Sequence, residues 1–356
     1  MPIQIAGPRG IGTARRTVLL TGASGVVGRA LLRRLRDLHV VCLVHRSPVS
    51  GPNVTAVPGD IAKPMFGLGE RAYAALTARV DAVIHCAAVT EFNRTDGSLE
   101  ATNIAGTEHI AAFTAAAGAV LYHVSTAFVD TTADGDRGHT AIGYASSKSA
   151  AEQVVRSSGV PHVILRPSVV IGDSDTGEIA AFQGLHRVVA GLFAGIVPMI
   201  PFDPSWPIDF VSVDVVADAI ACVVENRVTE GEFWLSAGEK ALRLDEGVAV
   251  AVELARDLGV HVDVPRFVPP EMFDRLIGPV FLDALPGRIR RNVVRMLEFF
   301  TTYLQSGQIK PSSLGELAAL GARPLPDQRE SLRNSLEYWA AQSGYGQAII
   351  ETEKAA

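Results

Sequence analysis

Tyr144 and Lys148, with Ala-Ser-Ser between them, open a stretch of helical spacing, and residues four apart on a helix share a face. An isolated phenol titrates near pH ~10. An ammonium beside it favours the phenolate and is expected to draw that value towards the working pH, as a general acid–base group requires. Thr126, ending the run HVST, supplies a hydroxyl to bind a reacting oxygen. Asn103 opens a further helical stretch, where it caps the helix or orders a proton-relay water, capping being the more ordinary role.

A second constellation implies a phosphate cradle. The apolar run TVLLT leads into Gly22-Ala23-Ser24-Gly25-Val26-Val27-Gly28 and then into a helical pattern. Between a strand and a helix, such glycines permit a tight turn, close approach of the backbone to a pyrophosphate, and close packing of helix on strand. The helix start adds free amides and a positive dipole end. An acidic residue about 20 positions further on would select the adenine ribose of NAD. His45-Arg46-Ser47 stands there instead, and a cation with a hydroxyl suits the 2′-phosphate of NADP, so NADPH/NADP is expected and NAD less so. Asp60 and Ile61 follow the third strand, where Asp60 could accept from the adenine amino group, and the small Ala87 and Ala88 end the fourth.

The elements that must position these residues are legible as short apolar runs at Thr17–Thr21, 40–44, 54–57, 82–86, Val120–Val124 and 162–165. They lack alternation, as parallel strands covered on both faces do. Helical spacing lies between them at 30–38, 104–117 and 146–156. Such repeats predict an α/β fold, a Rossmann-type doubly wound parallel sheet with a smaller C-terminal substrate-binding region. The expected map is a loose N-terminal arm at 1–16, an NADP-binding domain at 17–172 with 207–230 returning to it, a substrate-binding or lid region at 173–206 and 231–345, and a tail at 346–356. In that region strands are expected at 233–236 and near 260–264, and a helix at 246–258. Amphipathic patterns follow through Phe273, Leu276, Ile277, Val280 and Phe281, and through Val293, Met296, Leu297, Phe300 and Leu304.

Composition narrows the function classes. A chain of 356 residues, 48% hydrophobic and 20% charged, can bury a core without staples and does not read as disordered. Its net charge of −6 lacks the basic footprint of a nucleic-acid binder. Cys42, Cys86 and Cys222 sit in apolar runs without metal-ligand spacing, which reads as buried thiols in a reducing cytoplasm and no metal site. The longest apolar run, 188–202, is broken by Gly191, Gly195, Pro198 and Pro201, short of the ~20 residues a spanning helix needs. Arg15-Arg16 precedes no uninterrupted apolar segment or cleavage site, so a cytoplasmic protein without a membrane span is expected.

The segments TGASGVVG, GDI, IHCAA, NIAGTEHI, HVSTAFV, YASSK, LRPSVVIG and DFVSVDVVADAI together resemble an extended short-chain dehydrogenase/reductase, of the NAD-dependent epimerase/dehydratase superfamily, from about residue 16 to 224. The resemblance implies a nicotinamide cofactor and a catalytic set at Thr126, Tyr144 and Lys148, with Pro167, Ser168 and Val169 flanking the nicotinamide. CLVHRS, GDIAKPMFGL and IHCAAVTEFN are closest in kind to thioester reductases and fatty acyl-CoA reductases. The Thr126–Tyr144 interval is short for such enzymes.

Epimerases of the superfamily usually carry RYFNVYG where RPSVVIG stands, and sugar dehydratases an Asp-Glu pair where Ala127-Phe128 stands. Plain hydride transfer remains. An apolar segment from Phe182 to Trp206 suits a bulky apolar molecule. The leading expectation is an NADPH-dependent ketone or aldehyde reductase acting on a polyketide-like small-molecule substrate. The alternative is an acyl-thioester reductase releasing an aldehyde, the only reading that calls for a carrier-protein partner. A catalytically silent NADP(H)-binding regulator is a third.

Overall fold

The computed structural model describes residues 4–5, 15–90, 96–129 and 139–345, except positions 274, 276–277, 279, 281–282, 284–285, 288–289, 292, 295–296, 298–303 and 305–306. Most of the arm, the tail, and parts of both late amphipathic patterns (Leu276, Ile277, Phe281, Met296 and Phe300) lie outside the described residues. The chain divides into two compact units, the first of Met1–Ser168, Val213–Ser236 and Ser312–Pro324.

The first unit is built on one sheet. Its strands are β1 (Gln4–Ile5), β2 (Thr17–Thr21), β3 (His39–Val44), β4 (Val54–Pro58), β5 (Ala82–His85), β6 (Val120–Val124), β7 (His162–Pro167) and β8 (Val228–Leu235). They lie in the order β1-β8-β7-β6-β5-β2-β3-β4. All neighbours are parallel except the short β1, which runs antiparallel to β8. β2 and β5–β7 are buried along nearly their whole length, which accounts for their mostly apolar, non-alternating sequences. The return to this sheet reaches past 230, because β8 pairs with β7 from Glu230 to Leu235, whereas the sequence reading put residues from 231 onwards in a substrate-binding region.

The connections include helices α1 (Val26–Arg34), α2 (Glu70–Thr77), α3 (Gly106–Ala117), α4 (His139–Ser157) and α5 (Val213–Glu225). α1 packs against α5, and Arg34 reaches Asp218 and Glu225. On the other face α2, α3 and α4 cover a core that includes Leu19, Val83, Ile110, Phe113, Leu121, Val155 and Ile164.

The second unit comprises Val169–Ser212, Ala237–Pro311 and Leu325–Ala356. Its helices Gly184–Phe193, Leu244–Asp257 and Gln328–Gln342 share a core around Phe193, Leu254, Leu336 and Trp339. Phe210–Ser212 pairs in parallel with Val169–Ile171. No strand forms at 260–264, because the available partner, Met199–Ile200, is in register with Arg266–Phe267 instead. Among the described residues no helix is long and apolar enough to cross a membrane, and no group of three or more His, Cys, Asp or Glu could hold a metal.

Candidate active site

Crossovers leave β2 towards β3 and β5 towards β6, so the C-terminal ends of β2 and β5 flank the point where strand order reverses, the position at which doubly wound sheets open a crevice. The glycine turn lies there. Gly22 has φ of +72°, and a Cβ on it would stand 2.6 Å from the Ala87 nitrogen at the end of β5. A Cβ on Gly28 would stand 2.2 Å from the Gly22 oxygen, so helix and turn can meet only without one. The Gly25 N–H donates to that same oxygen at 2.9 Å. Gly25 precedes α1 without any side-chain cap, leaving the first-turn amides, next to Ser24, Val26 and Val27, without intrahelical partners. A bare helix start beside a turn this tight fits a dinucleotide pyrophosphate.

At the end of β3, His45, Arg46 and Ser47 are exposed. His45 Nε2 lies 3.8 Å and Lys63 Nζ 4.0 Å from an Asp60 carboxylate oxygen. Asp60 is held by its own loop: its N–H donates to the Phe66 carbonyl at 2.9 Å, and its Oδ1 accepts from the Ala62 N–H at 3.0 Å. Buried Ile61 receives the His109 Nδ1–H on its carbonyl at 2.7 Å. Met65 and Phe66 both adopt left-handed φ, 49° and 60°. The buried Phe66 ring, packed on Tyr73 and Phe113, holds that costly backbone in place.

The candidate proton-handling groups, Tyr144 and Lys148, sit on α4. Lys148 is buried, and its Nζ donates to the Val124 carbonyl at 2.8 Å and faces His123 Nε2 at 3.5 Å. Burial brings its ammonium down to about 8, opposed by Cys86 and Glu152. Burial pushes the Tyr144 phenol up to about 12, the reverse of the lowering expected from sequence. The shared helical face is real, but the ammonium turns to the end of β6, so loss of solvent dominates the phenol. A phenol that keeps its proton at neutral pH is matched to giving one away.

Asn103 is neither a simple cap nor exposed. It lies in a π-helical turn, Glu100–Ala105, and its side chain exchanges hydrogen bonds with the Val89 backbone, accepting at 2.8 Å and donating at 3.0 Å. Its Nδ2 also donates to Ser147 Oγ at 2.9 Å, and Ser147 donates to the Tyr144 carbonyl at 2.7 Å. It therefore clamps the chain after β5 to the turn of α4 bearing Tyr144 and Lys148. Thr126 is buried two residues past the carbonyl that receives Lys148, while residues 130–138 of the Thr126–Tyr144 connection lie outside the described residues. Ala87 and Ala88 are half-buried, and the Ala87 N–H donates to Thr21 Oγ1 at 3.2 Å. Pro167 ends β7, the Ser168 N–H donates to the Leu235 carbonyl at 3.0 Å, and Val169 begins the second unit.

Sequence reasoning missed the polar layer beneath these groups. His85 bridges Thr21 Oγ1 at 2.7 Å and Thr107 Oγ1 at 3.2 Å, and its ring stands 5.4 Å from that of His123. Burial brings His85 down to about 3 and also lowers His123, the Lys148 charge adding to both. One helical turn beyond Lys148, buried Glu152 receives a bidentate pair from Arg166 of β7 at 2.9 and 2.7 Å. Arg166 also donates to Glu232 of β8 at 2.7 Å and lies over the Trp234 ring, while Arg156 joins both carboxylates at 2.8 Å. The i, i+4, i+8 run of Lys148, Glu152 and Arg156 was the available signal. Cys86 is half-buried, and loss of solvent pushes its thiol up to about 12.

The family model described as male sterility protein, an NAD-binding family, matches residues 50–220. The structure resembles the terminal R domain of the myxalamid PKS-NRPS biosynthetic pathway with a TM-score of 0.72 and 25% identity, covering 94% of this chain and 93% of that one. Both matches are to proteins of the extended short-chain dehydrogenase/reductase kind, and the chain is similar to them in fold. The chain is 32% identical over 244 residues to the isonitrile lipopeptide synthase of Streptomyces coeruleorubidus, covering 58% of the chain and 16% of the synthase. Against the polyketide synthase-nonribosomal peptide synthetase ACE1 of Pyricularia oryzae the identity is 32% over 261 residues, 63% of the chain and 6% of the synthetase. The chain thus spans a small fraction of these curated relatives. The reductase (R) domain of a nonribosomal peptide synthetase from Mycobacterium tuberculosis shares its fold, with a TM-score of 0.67 and 22% identity, covering 96% of this chain and 95% of that one.

Proposed function

We propose that the protein is an NADPH-dependent acyl-thioester reductase that releases an aldehyde and a free thiol. The observation that carries this reading is the likeness to the myxalamid terminal R domain over nearly the whole of both chains. It favours the thioester alternative over the ketone reduction expected from sequence. The carrier-protein partner that this reading calls for would donate the acyl group.

The bound nicotinamide would supply a hydride to the thioester carbonyl carbon. The chain's own groups do the rest. Thr126 and Tyr144 hydrogen-bond the oxygen as negative charge develops on it, a charge that is expensive in a dry site without donors. Tyr144, with its phenol held protonated by burial, gives that oxygen a proton, and the carbon–sulfur bond then breaks as the new hydroxyl gives its proton up to sulfur, leaving aldehyde and thiol. Lys148 presents its remaining N–H to the nicotinamide ribose. The glycine turn and the first-turn amides of α1 would hold the pyrophosphate, while Arg46 and Ser47 would meet the 2′-phosphate and Asp60–Ile61 the adenine. Ala87, Ala88, Pro167, Ser168 and Val169 would border the nicotinamide.

The test incubates the protein and NADPH with an acyl pantetheine thioester, and separately with apolar polycyclic ketones, following NADPH absorbance and free thiol together. Thiol appearing one-for-one with the hydride used to form aldehyde supports the reading. NADPH consumption with ketones and no thiol from thioesters would return the chain to the ketone class. Tight NADPH binding without oxidation by either would make it a regulator.

A further inference from the structure

We propose that His123 is a positioning residue for Lys148, and that His85 fixes the His123 ring from behind. The inference rests on reading Lys148 as part of the proton-transfer set. Its geometry is independent of which carbonyl is reduced.

The hydrogen-bond directions determine where each ring carries its proton. Thr107 has one hydroxyl hydrogen and donates it to the Asn103 carbonyl at 2.7 Å. Towards His85 Nε2 it can therefore only accept, so that nitrogen carries the hydrogen. The bare His85 Nδ1 accepts from Thr21, whose oxygen in turn accepts the Ala87 N–H. Every polar atom of the His85 ring is thus committed, and the ring is a fixed wall 5.4 Å from His123 and tilted 44° to it.

His123 differs. An ammonium has no lone pair, so His123 Nε2 can only accept from Lys148 and the ring hydrogen must sit on Nδ1. That Nδ1 is buried and has no hydrogen-bond partner. A hydrocarbon ring of similar size would fill the same space without burying an unpartnered donor. Packing therefore does not account for a histidine at this place, whereas the contact with Lys148 does. The contact is long, 3.5 Å, and works alongside the shorter bond to the Val124 carbonyl. Two of the three N–H groups of Lys148 are directed at β6 in this way, leaving one. The charged and titratable groups that act on Lys148 are Cys86 just past β5, Glu152 from its own helix, and the His123 and His85 rings from β6 and β5. The His123 lone pair joins Cys86 and Glu152 in favouring the ammonium against burial.

The experiment has two parts. Nitrogen-15 NMR of the histidine-labelled protein, without cofactor or substrate, should show His123 protonated on Nδ1 and His85 on Nε2. Lys148→Met should then shift the His123 Nε2 resonance and leave that of His85 in place. A wild-type His123 protonated on Nε2, or one indifferent to Lys148→Met, overturns the proposal. Because this part needs no turnover, it stands even if the thioester reading fails. In the second part, His123→Phe should move the alkaline limb of the NADPH-oxidation profile down by about one pH unit or more, the loss of one acceptor to a charged donor. His123→Gln, which restores an acceptor, should bring the limb back towards wild type. A folded His123→Phe protein with an unmoved limb, or a glutamine variant displaced as far as the phenylalanine one, overturns it. Should His123→Phe not fold, the spectra of the wild-type and Lys148→Met proteins decide.

Discussion

Acidification from pH 7 to pH 5 should weaken this protein well before its carboxylates protonate, because several histidines are buried in the neutral form. His85 is held down to about 3 and His186 to about 4, both chiefly by burial, and His123 is lowered for the same reason. In the unfolded chain such rings take up a proton near pH ~6.5. Between that value and the folded one the unfolded state binds more protons, so stability rises with pH and is lost on acidification. One such ring costs about 2 kcal/mol between pH 7 and pH 5, at about 1.4 kcal/mol per pH unit below its unfolded value. His85 belongs to the first unit and His186 to the second, so each unit carries this liability, and His123 adds to that of the first. Glu232 works in the same direction but later. The guanidinium groups of Arg156 and Arg166 outweigh its desolvation and lower it, so its contribution is lost only as pH falls below the ordinary carboxylate value. The assay is urea unfolding at half-unit steps from pH 7.5 to 5, in a Trp206→Phe, Trp339→Phe background that leaves Trp234 of β8 to report on the first unit. Its free energy should be level above pH 7 and fall below pH 6.5 with a slope exceeding one proton. A level line down to pH 5, with loss beginning only below pH 4.5, would refute the argument and mean that the folded protein charges these rings freely.

Three further outcomes follow from the site. Tyr144→Phe should leave NADPH binding intact and cut turnover by at least about 10²-fold, the lower range for loss of a general acid, as read by stopped absorbance assays beside a binding titration. Gly28→Ala should abolish NADPH binding or folding, since its Cβ would stand 2.2 Å from the Gly22 oxygen, and a melt with a cofactor titration separates the two. Arg46→Asp should weaken NADPH by about 10-fold or more while sparing NADH, the loss of a charge-assisted bond worth about 1.5–3 kcal/mol, and equal affinities before and after would remove Arg46 from the site.

Much of this protein was legible in its sequence because local rules and tertiary structure agree there. Mostly apolar runs without alternation at β2, β5, β6 and β7 are the direct consequence of burial on both faces of a parallel sheet, and a glycine triplet between strand and helix has few other uses. Spacing within one element sufficed to place Tyr144 and Lys148 on the same helix. Interactions between elements were not legible. Which way the Lys148 ammonium turns depends on β6, a strand brought beside α4 only by folding, and so the sign of the Tyr144 shift was missed. Asn103 looked like a cap because its partners, Val89 and Ser147, are distant in sequence. The strand expected at 260–264 had suitable residues but no partner in register, and pairing is what makes an extended segment a strand. The apolar runs at 82–86 and Val120–Val124 take in His85 and His123 without a role for either, since their neutrality and their hold on Thr21, Thr107 and Lys148 arise from desolvation and contacts across the sheet. Side-chain type and spacing determined what chemistry was available, while burial and long-range contact decided the protonation state in which it is held.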